Sequence, residues 1–558
     1  MIGSRFMAAF LASTLVTPPD PICIVGAGPS GLTIANGLED KGFSTIIFEK
    51  NAVVGGKCQE YYDPLFHPLG ALLLSNVTYK ETLPVVEASG VPLLPFANTA
   101  KTWLFDWMTG EVQEAPLSPP ELFLLVQGDA QRYTEFWNNI FSPKMTNVGY
   151  KNGIPEEYTV PFLQWLSANN LTSLQPIFEA GMVPYGYGDI TETPAIYMLQ
   201  YFTPDILHFF TGQHDGYLVD FHEVFVQYAE NSVKGPILTN TNITKIDRSG
   251  DHPVITYTNQ TGSTASQSCS KLILAFPPVM HALQAANLDI SADETIVFSP
   301  VGITEYWSGA VSVAAPGGFR YEAETYEAVG QPSAFVRLFN ESSVATTWSW
   351  GKYRGNRTTE EARILLKETL SKVNKDPRNA TELPRPVTDE DVKEFEKWDY
   401  FAHYDPRELR AGFYGKFDAL QGKQNTYYAS GLNGFETVEF AIRAGKDVVD
   451  TLSQNYDITY LGSDTAGLSN SAAPLCSVKG SMGDRLGSLV AVLAGRAKSI
   501  HIKCYILHKC QIQVGSNTLV EIHLIKIIYT CITVPITIVG GHLPSYQLEK
   551  ATTLAWHS

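Results

Sequence analysis

The chain has 558 residues, 44% hydrophobic and 17% charged, which excludes a disordered polypeptide and exceeds what a single compact core accommodates. Its net charge is −17 and it carries no basic cluster, so nucleic acid is not expected as a partner. The seven cysteines, at 23, 58, 269, 476, 504, 510 and 531, show no CxxC or Cys/His spacing; no metal is expected, and no disulfide framework can be read from them.

Arg5 precedes an apolar run at 6–16 that Thr17, Pro18 and Pro19 break. This resembles a signal peptide over residues 1–17; the alternative is a frayed leader ahead of the first strand. Asn-x-Ser/Thr sequons at Asn76, Asn170, Asn242, Asn259, Asn340, Asn356 and Asn379 bear on the choice, since they matter only on the secretory route. A secreted or secretory-pathway glycoprotein is the first expectation and an intracellular protein the second. Residues 22–25 are apolar throughout, the pattern of a strand covered on both faces, and Cys23 within them reads as a buried thiol. A glycine turn follows at 26–31, then a predicted helix at 32–41 and a strand at 44–49, which together form a βαβ opening. Residues 86–224 are rich in proline and aromatics, with helices predicted at 119–140 and 221–232. Strand patterns return at 243–246, 254–257 and 272–276. Residues 426–452 read as strand, glycine turn and helix. Residues 456–558 fit none of these units. The uncharged stretch 527–539 is shorter than the ~20 residues a spanning helix needs, and Pro535 interrupts it.

The chemistry lies in Gly26-Ala27-Gly28-Pro29-Ser30-Gly31, a GxGxxG between an apolar strand and a helix. Gly26 permits the tight turn, Gly28 admits a pyrophosphate close to the backbone, and Gly31 lets the helix pack on the strand. The helix N-terminus, beginning near Ser30, then presents unpaired N–H groups to phosphate. Glu49 closes the second strand and is placed to accept from ribose hydroxyls, which disfavours a 2′-phosphate. Gly55-Gly56-Lys57 follows, with two glycines that let the backbone run against a bound cofactor.

Residues 22–57 resemble the N-terminal FAD motif of the flavin amine oxidase superfamily, and His67-Pro68-Leu69-Gly70-Ala71 resembles the segment after it. Residues 411–449 resemble a fungal branch of that superfamily that includes beta-cyclopiazonate dehydrogenase, enzymes of secondary metabolism. The resemblance implies an α/β fold: a Rossmann-like FAD-binding domain built from residues 20–85, 225–290 and 400–455, with an inserted α+β substrate domain at 86–224 and 291–399. It implies FAD as cofactor, with Gly70 and Ala71 near the flavin ring, Ile243 at the adenine, and Gly431, Leu432, Thr437 and Val438 along the flavin and ribityl chain. It places Trp398 against the flavin, and Tyr400 and His403 beside it are candidate pocket residues, His403 as a base. No counterpart is found for the lysine that some amine oxidases hold near flavin N5, nor for a cysteine that would attach the flavin.

The expected activity is removal of a hydride from a bulky, largely apolar small molecule, by oxidation, desaturation or oxidative cyclisation, with O2 as electron acceptor. One alternative is an NADPH-dependent flavin monooxygenase, although the chain carries a single GxGxxG. The other is a non-catalytic binding protein resembling the GDP-dissociation inhibitors.

Overall fold

A computed structural model describes residues 20–463, together with the backbone of strands Ile500–Tyr505, Lys509–Val514 and Leu519–His523. The signal-peptide segment 1–17, the stretch 527–539 and most of the unassigned C-terminal tail lie outside the described residues. The chain divides into two units, 1–461 and 462–558. Within the second, the three strands form an antiparallel sheet. Among the described residues, no helix is long and apolar enough to cross a membrane.

The first unit is organised around a parallel sheet. Its elements are β1 (Ile22–Val25), α1 (Pro29–Glu39), β2 (Thr45–Phe48), β3 (Ile237–Leu238), β4 (Lys271–Leu274), β5 (Thr426–Tyr428) and α2 (Val438–Ser463). The strand order is β3-β2-β1-β4-β5, all parallel, so the sheet collects segments from Ile22 to Tyr428. All four residues of β1 and of β2 are buried, as a sheet covered on both faces requires. Alternation then divides them. Ile22, Ile24, Ile47 and Ile273 face Leu32, Ile34, Leu38, Val448 and Leu452 of α1 and α2. Cys23, Val25, Phe48 and Leu272 face the second, larger core. The helix predicted at 32–41 starts earlier, at Pro29, whose missing N–H costs nothing at the first helical position.

Cys23 is not the buried thiol that the sequence suggests. It forms a disulfide with Cys269, which sits just before β4, 246 residues along the chain. Parallel pairing of β1 with β4 brings the two cysteines side by side.

The region that the sequence reading assigns to the substrate contains a seven-stranded sheet in the order Val392–His403, Gly302–Ser312, Val344–Tyr353, Pro332–Val336, Arg320–Ala323, Trp103–Phe105 and Val112–Glu114. Helices Pro119–Phe136, Gln175–Met182, Ala195–Tyr201 and Pro204–Phe210 pack together through Tyr133, Phe178, Leu199 and Leu207. The helix predicted to 140 is α-helical to Phe136 and continues as a π turn, Trp137–Phe141. The strand Leu73–Leu74 pairs with Gly216–Leu218, and the strand Val392–His403 runs unbroken through residue 400.

Candidate functional site

A single cleft of about 920 Å³ begins at the glycine turn and ends among aromatic side chains of the substrate region. Its volume lies within the range of small-molecule and cofactor sites.

The turn after β1 is shaped by what its glycines omit. Gly26 adopts φ +108°. A Cβ on Gly31 would lie 2.0 Å from the Gly26 carbonyl oxygen, so the turn closes only without one. Gly28 caps α1 with no side-chain hydrogen bond, leaving the first N–H groups of the helix to a ligand. Ser30 Oγ donates to the carbonyl of Ala441 (2.9 Å), which ties the start of α1 to α2. Gly55 N–H donates to Ala27 O (2.9 Å), and Gly56, at φ +59°, lies so close that a Cβ would stand 3.0 Å from Gly28 Cα. The two glycine segments thus form one cradle.

Glu49 is buried on the wall of this cradle. Its Oε2 accepts from Ala27 N–H (2.7 Å) and its Oε1 from Asn51 N–H (2.8 Å). Each oxygen retains a lone pair, which is what recognition of a ribose diol needs. Ile243 lies further along the wall, beside Thr241 and Asn242.

Of the sequence-predicted cofactor residues, Gly26, Gly28, Ser30, Glu49, Gly56, Lys57, Gly70, Ala71, Ile243, Gly431, Thr437 and Val438 line the cleft. Gly31 and Gly55 stand behind it and shape the backbone, and Leu432 is buried outside the wall. Gly70 has a local reason to be glycine, since a Cβ there would overlap the Lys57 carbonyl at 1.6 Å. A dinucleotide cofactor fits this donor and acceptor set.

Beyond the cradle, Lys57 Nζ pairs with Glu436 Oε1 at 2.9 Å and lies 5.3 Å from the centre of the Tyr400 ring. Tyr400 OH donates to Tyr187 OH (3.2 Å), which donates to the Glu436 carbonyl (3.1 Å). Trp398 Nε1 donates to Ser308 Oγ (2.7 Å). Trp398 and Tyr400 both line the cleft. His403 is not brought to it: the ring stacks against Phe401 and Tyr353, each 4.2 Å away, and its Nδ1 meets the Phe401 carbonyl at 2.7 Å. Burial lowers its pKa to about 4, so the ring is neutral at pH 7, and it is not among the residues that line the cleft.

The sequence reading missed most of the far wall. Tyr79, Tyr185, Tyr187, Tyr201, Tyr306 and Trp348 converge there. Burial, above all, raises the pKa of each of these tyrosines, so their hydroxyls remain protonated donors. Glu60 also lines the cleft, with both carboxyl oxygens shielded and without a partner. Burial, then Asp220, pushes its carboxyl well above the usual carboxylate range. Burial, then Glu60 and Glu436, pushes the neighbouring Cys58 thiol up. Only Glu436 had a sequence signal, its place directly before Thr437 in the C-terminal motif. Among the described residues, no group of three or more His, Cys, Asp and Glu is placed to hold a metal.

The site and the relatives it leads to are those of an FAD-dependent oxidoreductase, carried on a fold similar to that of the flavin amine oxidases. Residues 24–86 match the family model of the NAD(P)-binding Rossmann-like domain. The chain is 26% identical over 456 residues to the FAD-dependent oxidoreductase dpasF of Apiospora sacchari, covering 77% of this chain and 92% of that one. It is 23% identical over 460 residues to the beta-cyclopiazonate dehydrogenase of Aspergillus flavus, covering 76% and 92%. Among solved structures it is similar to the CLA-producing fatty acid isomerase from P. acnes (TM-score 0.65, 22% identity, 78% of this chain and 98% of that one).

Proposed function

We propose that the protein removes a hydride from a bulky, largely apolar small molecule in secondary-metabolite biosynthesis, and passes the electrons to O2. The observation that carries this reading is the continuity of the cleft, from the Gly28–Gly56 cradle to a wall of tyrosines, phenylalanines and Trp348. FAD, when bound, supplies the hydride acceptor. The protein contributes position. The Lys57–Glu436 pair clamps the GGK segment to the C-terminal loop, and the Tyr400–Tyr187 hydrogen bond braces the adjoining wall. The aromatic wall excludes water and aligns the substrate, which counts for more in hydride removal than a strong side-chain base. Burial and Asp220 push the Glu60 carboxyl on the same wall well above the usual carboxylate range. The activity test is aerobic turnover of a panel of bulky, largely apolar small molecules, with peroxide measured. One peroxide per product, without NADPH, supports the reading, whereas substrate-dependent consumption of NADPH replaces it with a monooxygenase.

The likeness to the P. acnes isomerase favours one second reading, a redox-neutral shift of double bonds in the same cleft. Product formation with no peroxide and no external acceptor would select it.

A further inference from the structure

Besides Glu60, the cleft wall holds a second carboxyl group with an oxygen that the protein leaves unanswered. Asp205, in the first turn of the helix Pro204–Phe210, is 7% exposed and lines the cleft. Its Oδ2 accepts from Thr78 Oγ1 (2.8 Å) and from Ser75 Oγ. Its Oδ1 is shielded from solvent and has no partner. His214 lines the same wall, and its Nε2 is likewise shielded and unpartnered. Around them stand Tyr201, Ile206, Phe209 and Phe210. A buried acceptor without a donor is destabilising, and a ligand that supplies the donor recovers that loss.

The charges of the wall narrow the ligand. Its lysines are Lys50, adjacent to Glu49, and Lys57 and Lys397, which are paired with Glu436 and Glu305 at 2.9 and 2.7 Å. No arginine lines the cleft among the described residues, whereas Asp205, Asp215, Glu394, Glu396 and Asp399 all do. A carboxylate ligand would meet repulsion and find no unpaired cation at this end.

We propose that Asp205 is a specificity-determining residue, its Oδ1 accepting a hydrogen bond from an O–H or N–H group on an otherwise apolar substrate. The inference rests on reading the far end of the cleft as the substrate site. It sets this chain apart from a carboxylate-binding site, because the anchor is an acceptor. Asp205→Asn inverts the anchor: the amide oxygen must stay with Ser75 and Thr78, and the NH2 then turns toward the cleft as a donor.

The test uses the holoenzyme and three probes of one skeleton, para-phenylphenol, para-methylbiphenyl and biphenyl-para-carboxylate. Binding is read by the fluorescence of Trp348 and Trp398 on the cleft wall. The phenol should bind about tenfold more tightly than the other two, and Asp205→Asn should abolish that preference in favour of the carboxylate. Equal affinities in the unaltered protein, no binding of any probe, or an equal change for all three in the variant overturns the proposal. A protein that lacks flavin yet still discriminates the probes contradicts the functional reading and leaves the anchor standing.

A second inference has an independent footing. The Cys23–Cys269 bond joins residues inside the core of the cofactor domain, and such bonds persist in oxidising compartments. All seven sequon asparagines are exposed. We infer that the chain matures in the secretory pathway, with this disulfide formed and N-glycans attached. Expression of the full chain in yeast, followed by peptide mapping without reductant and by glycosidase treatment, tests this. A linked 23–269 peptide together with a mass loss on deglycosylation is expected, and absence of either overturns the inference.

Discussion

Glu49 and Asp205 are both buried carboxyl groups on one cleft wall, and they differ in what meets their oxygens. Glu49 is held by two backbone N–H groups in addition to whatever binds, whereas Asp205 has one oxygen satisfied and one bare. The first was legible in the sequence, because it closes a strand at a set distance from a glycine turn. The second was not, because an aspartate in the first turn of a short helix reads as ordinary helix-dipole chemistry. His403 was misjudged for a related reason. Trp398 and Tyr400 share one face of their strand, residue 403 falls at the opposite parity, and Phe401 breaks the alternation at φ +47°. Its burial makes a testable statement. The folded imidazole protonates near pH 4 and the unfolded one near 6.5, so between these values the unfolded chain binds more protons. Stability should therefore fall as pH drops from 6.5 toward 4, by up to about 3 kcal/mol from this residue. Denaturation of His403→Phe as a function of pH should show that part of the slope removed. An unchanged slope would mean that the histidine does not titrate as its burial requires.

At the scale of elements, the β1–turn–α1 unit separates packing from binding. Gly28 has φ −78°, and a Cβ there would meet Gly56 Cα at 3.6 Å, an ordinary contact. Gly28→Ala should leave the melting temperature of the FAD-free protein unchanged while weakening FAD by about a hundredfold, because the methyl occupies the cradle. Gly31→Ala should do the opposite, costing about 2–3 kcal/mol of stability through overlap with the Gly26 carbonyl. Thermal melts and FAD titration of both variants check the contrast. This unit could be read from sequence because its signals are local: an apolar run, glycines at fixed spacing, and a terminal carboxylate. The strands of the substrate sheet could not be ordered, since Trp103–Phe105 joins Arg320–Ala323 across more than two hundred residues. Helix Ala195–Tyr201 reveals in sequence that it is apolar, but not that Tyr201 is the residue it presents to the cleft.

At the scale of the molecule, one sheet gathers four distant segments, and the disulfide pins two of them. The sequence identified Cys23 as buried but gave no partner for it, because the pairing of β1 with β4 exists only in three dimensions. The same sheet brings the Gly28–Gly56 cradle and the C-terminal loop to one cleft, and the proposed function depends on that cleft holding FAD. The most direct measurement is the absorption spectrum of the purified full chain, repeated on the supernatant after acid denaturation. Oxidised-flavin bands at roughly 370 and 450 nm should move into the supernatant, since the one cysteine among the described cleft residues, Cys58, is a buried thiol that its surroundings keep from ionising. Bands that stay with the precipitate would contradict the noncovalent site, and no bands even after reconstitution with FAD would contradict the account as a whole.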